Sequence, residues 1–202
     1  MIRKRAAAIL LFFGASLGAT AAWAGPLKLA LSASSGMFFP KGEAYRELYG
    51  AGIPVSFDTW LTIGNHFGAS AGLNYLSDSG TAVPMDGGED EYPLKFRRLT
   101  IPVSVYFEMH PGRTIDLRLG AGLGVHRYEE KWTSLSLEAA GWKVSPRLYV
   151  SADWRAVPSL ARLAFIGTVA FDTIGVGSGA LLADKPNIGG FQILVGASWR
   201  LF

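Results

Sequence analysis

The 202-residue chain contains no cysteine. This absence excludes disulfide bonds, lipidation at an N-terminal cysteine, zinc–thiolate sites and thiol catalysis. Exported proteins can form disulfides, so an exported form of this chain must draw its stability from noncovalent interactions alone.

A long apolar run is present only near the N-terminus. Residues 3–5 are basic, residues 6–22 are mostly apolar, and Ala22-Trp23-Ala24 has the small-x-small pattern of a cleavage site. These features predict a secretory signal peptide over residues 1–24, whose cleavage leaves a domain over residues 25–202. An uncleaved membrane anchor is the alternative interpretation of the same stretch.

The chain that follows this segment has no excess of either charge. The full sequence has 19 Lys and Arg against 16 Asp and Glu, but three of the basic residues are Arg3, Lys4 and Arg5, and no acidic residue precedes Glu43. After cleavage, 16 charges of each sign remain. This neutral balance gives no reason to expect a nucleic-acid partner.

Residues 25–202 also lack an uninterrupted apolar run long enough for a transmembrane helix. The nearest approach, residues 163–183, contains Asp172 and several glycines, which disfavour a helix. Apolar residues instead alternate with polar or small ones, and this period of two indicates β-strands and, in long segments, membrane barrels. Eight such segments cover residues 27–39, 51–63, 65–76, 95–109, 115–126, 142–154, 162–173 and 193–202.

The connections between these segments alternate in length. Short periplasmic turns and longer extracellular loops are typical of bacterial barrels. The sequence therefore predicts an all-β fold, an eight-stranded antiparallel up-and-down transmembrane β-barrel, with a soluble periplasmic β-domain as the architectural alternative. The short connections are Gly64, residues 110–113 and residues 155–161, and the longer ones are residues 40–50, 77–94, 127–141 and 174–187.

The polar faces of the segments carry charges that would point into the barrel. Eight strands enclose a space that side chains can just fill, and buried charges must be paired. We therefore predict a salt-bridged plug rather than a wide aqueous pore, with Asp153 and Arg162 side by side across one short turn. The predicted lumen charge network comprises Glu108, Asp116, Arg118, Arg147, Asp153, Arg162 and Arg200.

Aromatic and basic residues collect near the ends of the segments. Amphipathic rings settle at the level of the lipid headgroups. The predicted aromatic girdle comprises Trp60, Phe107, Trp142, Trp154 and Trp199. Cations at the outer rim would face lipopolysaccharide phosphates, although rim charges can equally just mark the edge of the apolar belt. The predicted lipopolysaccharide contacts are Lys95, Arg97, Arg98, Arg127 and Lys143.

Three stretches carry a resemblance to a known family: LTIPVSVYFE at residues 99–108, LRLGAGLGVHRYEE at residues 117–130, and the C-terminal WRLF. On these residues the chain resembles the small outer-membrane β-barrel proteins of the OmpA/OmpX type. The resemblance implies a place in the bacterial outer membrane and an insertion signal, Trp199 with Phe202, that the barrel-assembly machinery reads. Phe202 departs from the family pattern because it directly follows Leu201, out of phase with the outward face.

The sequence does not single out one activity. The leading interpretation is a non-enzymatic monomer without cofactor or metal that contacts outer-membrane lipids, supports the envelope, presents loops or binds a partner. The alternatives are a narrow channel for small solutes and a lipid-modifying enzyme with His126 at the outer rim. The acidic run at residues 86–91 lacks the spacing of an EF-hand loop and is interpreted as a solvated loop.

Overall fold

The computed structural model describes residues 26–82, 91–112, 114–134, 136–157, 160, 162–176 and 187–202. The predicted signal peptide and residues 86–90 of the acidic run lie outside the described residues. Within the described ranges, no helix is long and apolar enough to cross a membrane.

The structure confirms the predicted all-β architecture. Eight strands pair antiparallel in sequence order, and the last strand pairs with the first, which closes the barrel. A short helix, α1 (Glu43–Tyr49), follows the first strand. The strands are β1 (Leu27–Pro40), β2 (Val55–Ile63), β3 (Phe67–Ala82), β4 (Tyr92–Met109), β5 (Ile115–Trp132), β6 (Leu137–Trp154), β7 (Leu163–Asp172) and β8 (Gly190–Arg200).

The apolar faces of the strands point outward. In β4 the odd-numbered residues from Leu99 to Met109 are all apolar and face out, whereas the even-numbered residues are buried in the barrel. The length of this stretch matches the roughly 9–11 residues with which a tilted strand crosses a bilayer. A soluble β-domain would have the opposite arrangement, so the architectural alternative is excluded.

The start of β1, the end of β8 and the short connections lie at one end of the barrel, which we call the short-turn end. At the opposite, long-loop end, β3 to β6 continue past the ends of β2 and β7. This extension, the upper wall, consists of residues 76–82, 92–98, 127–132 and 137–142. The prediction of loops over residues 77–94 and 127–141 was therefore wrong for residues 77–82, 92–94, 127–132 and 137–141, because the alternation continues into both stretches. Only residues 133–136 separate β5 from β6.

The two prolines inside the strands are accommodated without a bulge. At Pro102 the register is kept, although the ladder between β3 and β4 skips two residue pairs. Pro146 pairs with Leu123 of β5, and β7 pairs with β6 only from Arg147 onward. Pro146 therefore lies beyond the end of the ladder with β7, so its missing N–H breaks no hydrogen bond to that strand.

Helix α1 occupies the first long connection, where a loop was predicted. Its residues include Ala44, Glu47 and Leu48, which favour a helix, but a helix of this length is not stable without tertiary contacts. Tyr45 is buried, and α1 packs closely on β3: a Cβ added at Gly80 would lie 2.0 Å from the carbonyl oxygen of Leu48. Packing over the mouth of the barrel thus stabilises α1.

Candidate functional site

The candidate site is the lumen, which consists of layers of side chains from one end to the other. At the short-turn end, the Asp116 carboxylate accepts hydrogen bonds from Arg155 at 3.0 Å, Arg200 at 2.8 Å and His110 at 2.7 Å. These residues come from the β6–β7 turn, the end of β8 and the β4–β5 turn. One buried carboxylate therefore joins two turns to the closing strand.

The next layer is a buried ion triad. Arg118 donates to Glu108 at 2.9 Å and to Asp153 at 2.7 Å, and its guanidinium lies 4.8 Å from the centre of the Trp60 ring. Only 2% of Arg118 is exposed. Two carboxylates and an aromatic face thus compensate for the removal of this cation from water.

An aromatic layer lies on the triad. The rings of Tyr106 and Tyr149 both meet Trp60 edge-on, each with a centroid distance of 5.7 Å. Each of the three polar ends has a partner: the Trp60 indole donates to Ser32, and the tyrosine hydroxyls contact Thr62 and Ser70. A Cβ at Gly120 would lie 2.2 Å from the Tyr149 ring, so glycine makes room for that ring.

The middle of the barrel contains a second ion pair and a buried histidine. Arg147 donates to Asp172 at 2.8 Å. The His126 ring lies between the hydroxyls of Thr100 at 2.9 Å and Ser145 at 2.8 Å. His126 is fully buried, so it lies inside the lumen and not at the outer rim.

Arg98 and the underside of α1 close the long-loop end. The Arg98 guanidinium donates to the carbonyl of Ile188 and lies 4.4 Å from the Phe38 ring centre. Above it, Tyr45 packs against Phe96 and Phe38. The apolar cluster here comprises Phe38, Tyr45, Leu76, Phe96, Tyr128, Ile174, Val176 and Ile188.

Two tyrosines of α1 tie the helix to the upper wall. Tyr45 donates to Asp78 and Tyr49 donates to Glu130, each at 2.5 Å. Burial, reinforced by the neighbouring carboxylate, raises the pKa of both tyrosine hydroxyls far above the usual value. Both hydroxyls therefore stay protonated and remain donors.

Six of the seven residues of the predicted charge network form ion pairs in the lumen, in three separate groups. Glu108, Arg118 and Asp153 form the triad, Asp116 binds Arg200, and Arg147 binds Asp172. The predicted pairing of Asp153 with Arg162 is wrong. Asp153 binds Arg118 and Ser198, whereas Arg162 is exposed because it precedes the first residue of β7.

Trp60 was wrongly assigned to the girdle. It is 4% exposed and faces the lumen, because its position in β2 has the inward phase of the alternation. Trp142, Trp154, Trp199 and Phe107 do face outward. Their assignment to a girdle stays a prediction.

Two of the five predicted rim cations also face inward. Arg98 is fully buried, because the even-numbered positions of β4 point into the barrel. Lys143 has the same phase as the buried Ser145 and Arg147 of β6, so it lies on the inner face of that strand. Lys95, Arg97 and Arg127 are exposed on the outer face of the wall.

The C-terminal residues extend the closing seam. Beyond β8, Leu201 donates its N–H to the Leu29 carbonyl, and the Leu29 N–H donates to the Phe202 carbonyl. Trp199 and Phe202 are both exposed at the short-turn end. Their role as an insertion signal stays a prediction.

Opposite orientations of two tryptophans give a direct test of the barrel faces. We compare variants that keep only Trp60 or only Trp142, with the other tryptophans replaced by phenylalanine, in vesicles containing brominated acyl chains. Trp142, which is 60% exposed on the outer face, is expected to be quenched strongly and Trp60 hardly at all, because quenching needs contact with lipid. Equal quenching of the two would contradict the inward placement of Trp60.

One group of side chains has the composition of a metal site. Ligand atoms of Glu108, His110 and Asp116 lie within 4.8 Å of one another. However, Arg118 already binds Glu108, and Asp116 receives two guanidinium groups. These cations compete with a metal ion for the same oxygens, so we interpret the group as part of the ion-pair network.

The fold is that of the small eight-stranded outer-membrane β-barrels. No protein-family model and no curated protein sequence matches the chain. Among solved structures, it is similar to OprG from Pseudomonas aeruginosa, with 9% identity, a TM-score of 0.61, and 86% of this chain and 95% of that chain covered.

Two further structures show the same likeness. For Neisserial surface protein A, the identity is 10% and the TM-score 0.56, over 87% of this chain and 98% of that chain. For a major outer membrane protein from Thermus thermophilus, the identity is 12% and the TM-score 0.57, over 88% of this chain and all of that chain.

Proposed function

We propose that the chain is an integral protein of the bacterial outer membrane that neither catalyses a reaction nor conducts solutes. It acts as a monomeric anchor that holds α1, the upper wall and the long loops at the cell surface, where they support the envelope or bind a partner. Its short turns face the periplasm, and the barrel-assembly machinery inserts it after cleavage of the signal peptide. The filled lumen is the observation that carries this proposal.

The filling of the lumen argues against a channel. A continuous aqueous path would have to cross the Arg118 triad, the aromatic layer around Trp60 and the apolar cluster under α1. To open such a path, the charged triad and several buried rings would have to be displaced, at a large cost in the free energy of folding. The filled lumen is therefore suited to a rigid scaffold for the outer surface of the barrel and not to the transport of solutes.

The described residues do not favour a lipid-modifying enzyme. Such an enzyme needs a nucleophile, a base and an acid within hydrogen-bond reach at the lipid-facing rim. His126 instead lies inside the lumen between two hydroxyls. Ser134 and Ser136, which follow it along the chain, are exposed on the connection between β5 and β6.

We predict that the folded protein gives no stepwise ion currents in a planar bilayer. A porin of known conductance, recorded in the same bilayers, serves as the positive control. Retarded or accelerated migration of unboiled samples in SDS gels shows that both preparations are folded barrels. Reproducible channel steps from the folded wild-type protein would contradict the proposal and favour the channel alternative.

A further inference from the structure

A patch of basic side chains lies on the outer face of the upper wall. The strand register sets out its rows: Lys95 lies opposite Lys131 of β5, and Arg97 lies opposite Glu129. One row lower, Arg127 lies next to Trp142 of β6. Arg97 and Arg127 are therefore diagonal neighbours across two strands, at a spacing of about 7–8 Å.

Three of these cations form no close ion pair among the described residues, although Glu129 lies directly opposite Arg97. Lys131 bridges Glu129 at 3.0 Å and Glu138 at 3.2 Å, so two carboxylates compensate for its charge. Within the described ranges, Lys95, Arg97 and Arg127 form no ion pair, whereas Arg118, Arg147, Arg155 and Arg200 each bind a carboxylate inside the barrel. The three cations thus face a single carboxylate, that of Glu129, which Lys131 already binds.

The patch sits at the upper edge of the apolar belt. Leu99 lies directly opposite Arg127, and from Ile101 downward the outward residues of β4 are apolar. The Arg127 guanidinium lies 6.0 Å from the centre of the exposed Trp142 ring. Tryptophan on an outer barrel face is enriched at headgroup level, which places the cations beside the phosphates of the surrounding lipid.

The two arginines of the patch are placed to hold one anion. Guanidinium groups bind phosphate oxygens in a bidentate fork, and the spacing of Arg97 and Arg127 allows both to reach one phosphate.

We propose that Lys95, Arg97 and Arg127 form a binding site for the phosphate of a phosphorylated lipid headgroup, with Trp142 against the adjoining part of the lipid. Of the five cations that the sequence predicted to contact lipopolysaccharide, Arg98 and Lys143 are left out because they face inward. The neighbouring Lys131 is not part of the site because Glu129 and Glu138 already bind it. The proposal rests on the proposed place of the barrel in the outer membrane.

The test measures lipid retention by native mass spectrometry on the complete protein, purified from the outer membrane and loaded with defined lipids. The probes are bisphosphorylated lipid A, its dephosphorylated form and phosphatidylglycerol. In the variant Arg97→Gln, Arg127→Gln, retention of lipid A is expected to weaken by about tenfold, which corresponds to ~1.4 kcal/mol. The control Lys41→Gln, Arg46→Gln removes two cations from the same end of the barrel outside the patch and should retain lipid A like the wild type.

The outcomes separate this site from the proposed function. Retention of lipid A but not of phosphatidylglycerol or dephosphorylated lipid A identifies lipopolysaccharide as the source of the phosphate, and equal retention of both phosphorylated lipids identifies any phosphorylated headgroup. Equal retention by the variant and the wild type overturns the site, even if both are folded outer-membrane barrels. Recovery of the wild type from the soluble periplasm would instead overturn the proposed function.

Discussion

Replacement of Arg118 by methionine is expected to lower the free energy of unfolding by about 3–5 kcal/mol. Methionine preserves most of the volume of the side chain but leaves Glu108 and Asp153 as two buried carboxylates without a cation. Both acids are almost fully buried, so water cannot replace the guanidinium. The measurement is urea unfolding in lipid vesicles, followed by the change in tryptophan fluorescence.

Two further variants decide whether the loss comes from charge. Arg162→Met removes an exposed cation near the same end of the barrel and should change the stability by less than about 0.5 kcal/mol. The triple variant Arg118→Met, Glu108→Met, Asp153→Leu removes all three charges and should recover most of the loss, because a buried ion group can often be replaced by packed apolar residues of similar volume. A triple variant as unstable as the single one would mean that packing, not charge, makes Arg118 important.

The period of two predicted most of the barrel. In β5, the segment Ile115 to His126 places apolar residues outward and Asp116, Arg118 and His126 inward, and the structure has the same faces. Such a pattern is predictable because each side chain's direction depends only on its position along its own strand. The same reasoning, applied to β2, would have placed Trp60 inside.

Contacts across the lumen could not be predicted in this way. Arg118 pairs with Glu108, its strand neighbour, but Arg200 reaches Asp116 from the far end of the chain. Such pairs depend on the barrel's stagger, which sets which residues share a height. For this reason the prediction chose Arg162 for Asp153, a pairing suggested by proximity along the chain alone.

The upper wall and α1 were missed because turn and loop signals outweighed the strand pattern. Polar residues such as Ser79 and Glu129 were interpreted as loop residues, yet they continue the alternation beyond the apolar belt. A strand that leaves the membrane keeps its period but exchanges apolar outward residues for charged ones. Continuation of the period past residue 127 was the signal that could have shown the wall.

A second large effect is expected for Asp116→Asn, which should destabilise the barrel by about 2–4 kcal/mol. The amide keeps the shape of the carboxylate but loses charge-assisted hydrogen bonds from Arg155 and Arg200, each worth roughly 1.5–3 kcal/mol. Both arginines are partly exposed, so water recovers some of this loss. Urea unfolding of the variant in vesicles measures the effect.

The Asp116→Asn variant should lose stability first at the seam between β8 and β1. Arg200 ends β8, which closes the barrel on β1, and the adjoining Leu201 N–H donates to the Leu29 carbonyl. Without Asp116 to hold Arg200, this seam should open first, so amide hydrogen exchange at Leu201 and Leu29 should accelerate more than exchange in the middle of β5. Glu47→Gln, which neutralises an exposed acid on α1, is the control and should leave both amides unchanged. Uniform acceleration in all strands would show that Asp116 stabilises the barrel globally and does not act as a clasp on the closing strand.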